Sequence, residues 1–341
     1  MNFFVKHSSS AIKCLACQHH CIIPENGFGF CGVRKNENGK IKLIVYGKPC
    51  SVNLDPIEKK PLFHYLPTSK TMSIGFFGCN FKCDFCQNFD ITTIRSANAQ
   101  ESSVLLKEVS PKKFVGFAKK EGAKSVAITY NEPAITVEYN LDVFLEAKKK
   151  ENSLGTVYVS NGYESEEQIK ALTKGKGLLD AINIDLKSFD DGFYKKICGA
   201  SLEGVLNSIK SFHKAGVWVE LTTLLIPNNN DSEQEIKQIA DFVRSVDKNI
   251  PWHLSAFFPM HKMKNALPTS KESIENAVRI GKESGLNFVY SGNLSSSINE
   301  NTICPKCNSL LIERAGFKSK IVGLAKDKCL NCGEKIKGIF V

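Results

Sequence analysis

The central part of the chain alternates short apolar runs with amphipathic stretches that have the period of a helix. The apolar runs are rich in β-branched residues, which favour extended strands. They begin at Thr71, Lys124, Gly155, Asp180, Val217, Trp252 and Leu286, in the segments TMSIGFF, KSVAITY, GTVYVS, DAINIDL, VWVELTTLLI, WHLSAF and LNFVYSG. Because helical stretches separate these runs, the pattern predicts repeated strand–helix units and a parallel sheet.

Signals for helix starts lie between the predicted strands. Ser110-Pro111 places proline at a first helical position, where no backbone N–H is needed. The segments SEEQ from Ser165, SEQE from Ser232 and TSKE from Thr269 have the pattern of a capping box. These signals support helices at the places where the alternation requires them.

A barrel and an open doubly wound sheet both contain such repeated units. Polar clusters follow successive predicted strands, in the segments GCNFKCDFC, NEP, SNG, DLKS and PNNN. The C-terminal rim of a barrel gathers all strand ends around one cavity, whereas an open sheet uses mainly its switch point. We therefore predict an α/β fold with a partial (β/α)6-type barrel over residues 71–298.

The composition is that of an ordinary globular protein, with 341 residues of which 42% are hydrophobic and 23% charged. No apolar run approaches the ~20 residues that cross a bilayer, and the start MNFFVKHSSS lacks the apolar region of a signal peptide. We therefore expect a cytoplasmic protein that does not bind membranes. The formal charge of +10 is spread along the chain, which favours solvated helix faces over a nucleic-acid or acidic-partner surface.

Most of the thirteen cysteines occur in tight groups. Grouped cysteines without an export signal indicate metal sites rather than disulfides. The first group is Cys14, Cys17, Cys21 and Cys31, and the last is Cys304, Cys307, Cys329 and Cys332. Both lie in segments too short for a core, so we predict metal-nucleated modules over residues 1–45 and 299–341, with an irregular connector over 46–70.

The middle group, CNFKCDFC, places Cys79, Cys83 and Cys86 directly after the first predicted barrel strand. Three thiolates at this spacing can bind three corners of a [4Fe–4S] cluster and leave the fourth iron open. An open metal position is typical of reactive sites. The alternatives are a zinc site completed by a distant residue such as His64, or a redox pair formed by Cys83 and Cys86.

CNFKCDFC matches the CxxxCxΦC signature of the radical S-adenosylmethionine (SAM) superfamily, with Phe85 at the aromatic position. The later segments YNEP, SNG and DLK follow in the order found in activating enzymes of the pyruvate formate-lyase type. More narrowly, the chain resembles the radical SAM proteins of the AmmeMemoRadiSam system in DPIEKKPLFHYLP, GCNFKCDFCQN, TYNEP, CGASLEGVL, TTLLIPNNNDS and CPKC…CLNC. The resemblance covers nearly the whole chain.

This resemblance implies a [4Fe–4S] cluster on Cys79, Cys83 and Cys86, with SAM bound to the open iron. It also implies contacts to SAM from Asn131 and Glu132 at its amino group, Ser160 and Asn161 at its ribose, and Asp185 and Lys187 near its carboxylate and the reacting centre. Glu132 and Lys187 have the charges that an ammonium and a carboxylate need once water is excluded.

Each of these residues also has a purely structural interpretation. Glu132 precedes a proline and can cap the following helix, and Asn161-Gly162 can be a turn. Asp185 and Lys187 can form a barrel ion pair. Placement at successive strand ends favours the cofactor-binding interpretation in each case.

Two further side chains each have two interpretations. His253, in PWHLSAF, either faces SAM or substrate, or is a core histidine with a satisfied partner. The resembling family often has a second histidine where this chain has Phe258, so that role is absent or belongs to His261. Cys198 is either a buried small residue or a reactive thiol near the cavity.

The flanking cysteine groups differ in spacing. The C-terminal C-x2-C-x21-C-x2-C has the form of a zinc ribbon, although iron would use the same ligands. The N-terminal C-x2-C-x3-C-x9-C fits zinc or an auxiliary iron–sulfur cluster equally well. His19 and His20 lie inside that loop and can replace a cysteine as ligands.

Taken together, these features predict a radical SAM enzyme acting on a small molecule or peptide. The resemblance implies Memo-like and AMMECR-like proteins as partners, and the chemistry requires a flavodoxin- or ferredoxin-like electron donor. Two other functions stay open, namely activation of a glycyl-radical enzyme and a non-catalytic electron-transfer or metal-binding adaptor.

Overall fold

The computed structural model describes residues 2–92, 107–175, 177–294 and 299–340. The N-terminal module consists of short strands, since a segment rich in cysteine and glycine offers few apolar side chains. Its strands are β1 (Phe4–Lys6), β2 (Ala11–Cys14), β3 (Ile22–Pro24), β4 (Arg34–Glu37) and β5 (Lys40–Leu43). The strands β1, β2 and β3 form one antiparallel sheet, and β4 pairs with β5 as a hairpin.

The central region forms an eight-stranded sheet within the described residues. Its strands are β6 (Ser51–Pro56), β7 (Lys70–Gly75), β8 (Ser125–Ile128), β9 (Gly155–Ser160), β10 (Ala181–Asp185), β11 (Trp218–Leu225), β12 (Trp252–Ala256) and β13 (Val289–Gly292). The strands β7 to β13 run parallel, each beside the next in chain order, and β6 is antiparallel to β7.

Helices connect the parallel strands. They are α1 (Phe89–Thr92), α2 (Pro111–Lys120), α3 (Val137–Ala147), α4 (Glu166–Thr173), α5 (Asp191–Phe193), α6 (Leu202–Lys214), α7 (Glu233–Val246) and α8 (Lys271–Glu283). A π-helical turn (Tyr194–Cys198) continues α5, and 3₁₀ turns cover Ile57–Lys59, Pro133–Thr136 and His261–Met263. No helix in the described ranges is long and apolar enough to span a membrane.

The predicted helix starts are confirmed at three serines, and the fourth lies one residue later than predicted. Ser110, Ser165 and Ser232 accept a hydrogen bond from the N–H group three residues on. In the TSKE segment the cap is Ser270 rather than Thr269. The buried Thr269 hydroxyl instead accepts from Phe257 N–H and donates to the Leu225 carbonyl, which removes it from capping.

The strand order confirms the prediction of a partial barrel. A doubly wound sheet reverses its order at a switch point, whereas here the parallel strands follow one another from β7 to β13. Because parallel crossovers share one hand, a sequential order places the helices on one face of the sheet. The opposite face then curves around an interior, and the carboxyl ends of the strands meet at one rim.

The segment over residues 46–70, predicted as an irregular connector, contributes the edge strand β6 and then closes the lower end of the barrel. Glu220 of β11 is fully buried there and accepts hydrogen bonds from Phe63 N–H (2.9 Å) and His64 N–H (2.7 Å). His64 also contacts Tyr290 Oη (2.6 Å). His64 therefore lies at the lower end, and the alternative of a zinc site that includes it is ruled out.

The C-terminal module packs against this lower end. Its strands are β14 (Thr302–Ile303), β15 (Leu310–Ala315), β16 (Lys318–Ile321), β17 (Leu324–Ala325) and β18 (Lys328–Cys329). Arg314 donates to the Phe63 carbonyl (2.8 Å), and its guanidinium lies 4.1 Å from the Phe63 ring centroid. The predicted barrel end at residue 298 lies outside the described residues.

Candidate active site

A cavity of about 220 Å³ opens at the carboxyl ends of the barrel strands. The three cysteines of the CNFKCDFC loop line it on one side. The predicted residues Phe85, Asn131, Asn161, Asp185 and Lys187 also line it. The structure therefore brings together most of the predicted site, which comes from segments more than a hundred residues apart in the chain.

The π-helical turn anchors the three-cysteine loop. Lys82 N–H donates to the Cys198 carbonyl (2.8 Å), and Asp84 N–H donates to the Ile197 carbonyl (3.1 Å). Within the loop, Phe81 N–H donates to Cys79 Sγ at 3.3 Å. These bonds fix the backbone, so the loop can present its sulfur atoms to the cavity without a regular element of its own.

The thiols of the loop have different electrostatic surroundings. Burial, followed by the nearby Glu132 carboxylate, raises the pKa of Cys79 well above its ordinary value. Burial also raises the pKa of Cys86. A contact with the Cys198 thiol lowers the pKa of Cys83, and Lys187 lowers it further. Buried thiols of this kind become stable thiolates when a metal supplies positive charge, so the donor set fits a metal centre.

Asn131 lines the cavity and carries a hydrogen-bond acceptor without a partner among the described residues. Its Nδ2 group donates to the carbonyls of Phe76 and Ile91, which fixes the orientation of the amide. Its Oδ1 atom is buried and has no hydrogen-bond partner among the described residues. A donor such as a primary ammonium would satisfy this oxygen, as expected for a residue at the amino group of SAM.

The backbone before Asn131 adopts an uncommon conformation. Tyr130 has a φ of +70°, in the left-handed region that non-glycine residues seldom occupy. A Cβ atom at Gly75 would lie 2.7 Å from Tyr130 Cδ2, so the strand end must be glycine for this turn to fit. The Tyr130 carbonyl accepts from Asn88 Nδ2, which links the turn to the cysteine loop.

Glu132 lies behind the cavity wall and acts as a cap and a positioning group. Its carboxylate accepts hydrogen bonds from Ala134 N–H (2.9 Å), Ser160 Oγ (2.9 Å) and Asn161 N–H (2.8 Å). Glu132 and Ser160 are buried and, within the described residues, are not part of the cavity lining. Asn161 stands between these two residues and the cavity, so they support its wall, and their predicted direct contacts with SAM stay predictions.

Asn161, which Glu132 holds through its N–H group, also contacts the cysteine loop with its side chain. Its Nδ2 group donates to Asn80 Oδ1 (2.7 Å) and lies 3.9 Å from Cys79 Sγ. The Asn161-Gly162 turn is therefore more than a chain reversal. It connects the end of β9 to the first cysteine of the loop.

Ser160 also contacts a second buried carboxyl group. Its Oγ lies 2.6 Å from Glu164 Oε1 and 2.9 Å from Glu132 Oε1. A hydroxyl group carries one hydrogen, so it satisfies both carboxyls when one of them is protonated. Burial raises the pKa of both acids, and the Glu164 charge raises that of Glu132 further. Sequence reasoning missed Glu164 because Glu132, the carboxyl group with which it shares Ser160, follows a different strand, β8.

Asp185 and Lys187 form an ion pair that faces the cavity. Lys187 Nζ lies 2.7 Å from Asp185 Oδ2 and 5.7 Å from the centroid of the Phe85 ring. Burial opposes the charged lysine, but the Asp185 carboxylate together with the Cys83 and Cys198 sulfur atoms outweighs it, and the pKa of Lys187 is raised well above its ordinary value. The pair is thus the predicted barrel ion pair and also a lasting positive charge at the cavity wall.

His253 is the core histidine that the sequence left open as an alternative. Its Nε2 lies 2.7 Å from Glu220 Oε2, and its ring packs against Phe63 and Tyr290. Within the described residues it is not part of the cavity lining, which favours the core interpretation over the predicted contact with SAM. The reason is that Glu220, at the lower end of the barrel, supplies a buried charged partner.

His261 and Cys198 also lie outside the lining that the described residues form. His261 stacks on Phe89, with ring centroids 4.9 Å apart. Cys198 is fully buried at the end of the π-helical turn, where its thiol contacts Cys83. Cys198 therefore supports a predicted cluster ligand from behind.

Several lining residues were not predicted from the sequence. Thr222, Ser255 and Asn293 line the cavity from β11, from β12 and from the end of β13. The signal that could have identified Thr222 and Ser255 is the alternation of side chains along a strand, which directs every second residue inward. These polar side chains stand opposite the cysteine loop and widen the site beyond the predicted cofactor contacts.

The C-terminal cysteines form a compact four-sulfur site. The Sγ atoms of Cys304 and Cys332 lie 3.6 Å apart, and those of Cys307 and Cys329 lie 3.7 Å apart. With metal–sulfur bonds of about 2.3 Å, a tetrahedral ion places its sulfur ligands about 3.8 Å apart. The four cysteines therefore fit a single metal ion, and zinc and iron both satisfy this geometry.

Comparison with known families identifies the site. The model of the radical SAM superfamily matches residues 73–243, which include the three-cysteine loop and the strand ends around the cavity. The chain belongs to the radical SAM superfamily. It is 40% identical over 337 residues to an uncharacterized protein of Methanocaldococcus jannaschii, covering 98% of this chain and 97% of that protein.

Other radical SAM proteins show more distant similarity. The pyruvate formate-lyase-activating enzyme of Clostridium pasteurianum is 24% identical over 51% of this chain and 69% of its own length. The crystal structure of a radical SAM methyltransferase from Sphaerobacter thermophilus matches with a TM-score of 0.50 at 15% identity, over 69% of this chain and 71% of that chain. The structural match shows the shared fold alone.

Membership of the radical SAM superfamily implies a [4Fe–4S] cluster and SAM. The residues present fit both groups. Three buried or half-buried thiols line one cavity together with Lys187 and with Asn131, whose Oδ1 has no partner within the described residues. The amino acid part of SAM carries an ammonium and a carboxylate, and these two protein groups complement them.

Proposed function

We propose that this chain is an enzyme that cleaves SAM reductively and uses the resulting 5′-deoxyadenosyl radical to remove a hydrogen atom from a small molecule or peptide. The observation that carries the proposal is the convergence of three, not four, cysteines with Asn131 and Lys187 on one cavity. When bound, the cluster supplies the electron that breaks the S–C5′ bond of SAM. Everything else is positioning by the protein.

Lys187 and Asn131 have distinct roles in this proposal. Lys187 binds the SAM carboxylate, and Asp185 holds the lysine side chain in place at 2.7 Å. Asn131 Oδ1 accepts a hydrogen bond from the SAM ammonium. Phe85 lies beside Lys187 and covers this end of the cavity with apolar surface, which keeps water from a reactive radical.

Glu132 acts indirectly in the same proposal. Its carboxylate holds the Asn161 N–H, and the Asn161 side chain contacts Cys79 Sγ and Asn80. Glu132 therefore fixes the position of Asn161 in the cavity wall relative to Cys79, a predicted cluster ligand. We assign Glu132 as a positioning residue.

A second candidate is the installation of a radical on a glycine of a partner enzyme. The similarity to the pyruvate formate-lyase-activating enzyme of Clostridium pasteurianum favours it. The sequence motifs shared with the AmmeMemoRadiSam system bear on the first candidate instead. They favour an enzyme that works beside Memo-like and AMMECR-like proteins. A glycyl-radical signal after incubation with a candidate partner would decide for the second function.

The proposal is tested by anaerobic reconstitution with iron and sulfide, followed by reduction in the presence of SAM. We expect 5′-deoxyadenosine, measured by chromatography and mass spectrometry, and its complete loss in Cys83→Ala. Cys50→Ala is the matched control, because this half-buried cysteine lies outside the cavity lining within the described residues. No nucleoside from iron-loaded protein, or undiminished product from Cys83→Ala, would contradict the proposal.

A further inference from the structure

The N-terminal module lies directly against the three-cysteine loop. Gly78, the residue before Cys79, has a φ of +93°, and a Cβ atom there would lie 2.7 Å from the Cys31 carbonyl oxygen. On the other side of Cys79, the Asn80 carbonyl lies 2.7 Å from His19 Nε2. The two cysteine groups are therefore neighbours, although they are far apart in the chain.

Asn80 connects the two groups most directly. It is fully buried and follows Cys79 in the chain, and its side chain lies near the Cys17 thiol, where it partly offsets the rise in pKa that burial causes. Its Oδ1 accepts from Asn161 Nδ2 (2.7 Å), which orients the amide. Its Nδ2 forms no conventional hydrogen bond within the described part of the chain. A buried N–H group thus stands between the two sets of sulfur atoms.

The four N-terminal thiols form one group that is more open than the C-terminal site. Burial raises the pKa of Cys17, and the charges of Cys31 and Cys14 raise it further; Cys14 likewise raises the pKa of Cys21. Among the described residues, however, only the C-terminal cysteines have ligand atoms that all lie within 4.8 Å of one another. A single tetrahedral ion requires that closeness. The wider N-terminal group suits a polynuclear cluster.

Hydrogen-bond donors surround the N-terminal sulfur atoms. Arg34, which is almost fully buried, donates from Nε to Cys14 Sγ at 3.3 Å. The same guanidinium pairs with Glu138 of α3 at 2.6 and 2.7 Å, which ties the group to the barrel. Phe30 N–H donates to Cys21 Sγ at 3.4 Å. Hydrogen bonds to the sulfur atoms stabilise anionic clusters and set their reduction potentials.

One edge of the group reaches the surface. Cys21 is half-buried, and its neighbours Ile22 and Phe30 are 58% and 41% exposed. Lys82 lies 5.0 Å from the centroid of the Phe30 ring, which adds positive charge beside this apolar patch. The group is therefore accessible to a partner on one side and contacts the catalytic loop on the other.

We infer that Cys14, Cys17, Cys21 and Cys31 bind a second iron–sulfur cluster, and that it delivers electrons to the catalytic cluster across Asn80. One electron leaves a reduced low-potential carrier protein, enters the N-terminal site and moves on to the catalytic site. The carrier is oxidised, the N-terminal site returns to its starting state, and no bond or proton changes. The electron's destination rests on the proposed function, whereas the presence of the second cluster does not.

The second cluster is tested by metal analysis without any enzymatic assay. After anaerobic reconstitution, we expect about eight irons per chain from two [4Fe–4S] clusters, and about half of this in Cys17→Ser/Cys21→Ser. Cys83→Ala/Cys86→Ala should lose the other half, with a different paramagnetic spectrum remaining. Zinc in the N-terminal site, or unchanged iron in Cys17→Ser/Cys21→Ser, would overturn the inference.

The direction of electron flow needs a second measurement. Dithionite is small and can reduce the catalytic site directly, whereas a reduced flavodoxin must enter through the N-terminal site. Cys17→Ser/Cys21→Ser, with its fold checked by circular dichroism, should retain dithionite-dependent 5′-deoxyadenosine and lose the flavodoxin-dependent product. Asn80→Val should slow the flavodoxin reaction at unchanged iron content, with the exposed Asn265→Val as control.

The two proposals fail in different ways. Equal flavodoxin-dependent rates in wild type and Cys17→Ser/Cys21→Ser would overturn the electron route. Absence of nucleoside with both reductants in the wild type would contradict the proposed function, while the iron count would still decide whether the second cluster exists.

Discussion

Lys187 offers a sharp test of how the cavity recognises SAM. Its side chain is 13% exposed, and its ammonium faces the cavity beside Asp185 at 2.7 Å. The change Lys187→Met removes the positive charge and keeps an unbranched side chain that can pack against Phe85. We expect SAM to bind much more weakly, because its carboxylate loses its charged partner.

The size of the effect follows from the interaction that is lost. A hydrogen bond to a charged group contributes about 1.5–3 kcal/mol, which corresponds to a roughly 10- to 150-fold higher dissociation constant. The effect on folding should be smaller. Asp185 is 36% exposed, so water compensates its lost partner and the free energy of unfolding should fall by no more than about 1 kcal/mol.

The assay is anaerobic calorimetric titration of the reconstituted protein with SAM, with urea unfolding measured in parallel. Lys187→Arg retains the charge and should bind SAM better than Lys187→Met. Lys195→Met is the matched control, because Lys195 pairs with Asp191 on the exposed surface of the neighbouring turn. SAM affinity that is unchanged in Lys187→Met, or equally reduced in Lys195→Met, would refute this assignment.

Two further predictions concern stability. Cys332→Ser should release the metal of the C-terminal module and lower the melting temperature, because coordination energy there is folding energy; metal retained in this variant would contradict the four-cysteine site. Glu164→Gln should flatten the pH dependence of stability in urea unfolding. The native state holds the raised-pKa protons of Glu132 and Glu164 more tightly than the unfolded state, so wild-type stability falls as the pH rises above their ordinary value of 4.5. Each such proton contributes a slope of up to about 1.4 kcal/mol per pH unit, and equal slopes in the two proteins would argue against a shared buried proton.

Much of the barrel could be predicted because its signals are local. The strands β7 to β13 coincide with β-branched runs. Most of their side chains are buried, so the runs are almost continuously apolar and easy to recognise in the sequence. The edge strand β6 was missed because SVNLDP mixes polar residues with a proline, as edge strands tolerate. The cap at Ser270 was misplaced because the competing partners of Thr269 come from β11 and from the segment after β12.

In the candidate site, too, local features could be predicted from the sequence and contacts between distant segments could not. The spacing of Cys79, Cys83 and Cys86 is a local feature, and it led directly to the cavity. The positions of Glu132 and His253 depend on partners that are distant in the chain. Glu164 and Ser160 hold Glu132 behind the wall, and Glu220 holds His253 at the lower end of the barrel. No local sequence pattern predicts such buried pairs.

The central claim is that the three cysteines of the CNFKCDFC loop hold a [4Fe–4S] cluster whose fourth iron binds SAM. Electron paramagnetic resonance of the reduced protein, recorded with and without SAM, tests it most directly. In Cys17→Ser/Cys21→Ser, which isolates the catalytic signal, we predict that SAM changes the spectrum. A spectrum that SAM leaves unchanged, or zinc bound by Cys79, Cys83 and Cys86, would contradict the account.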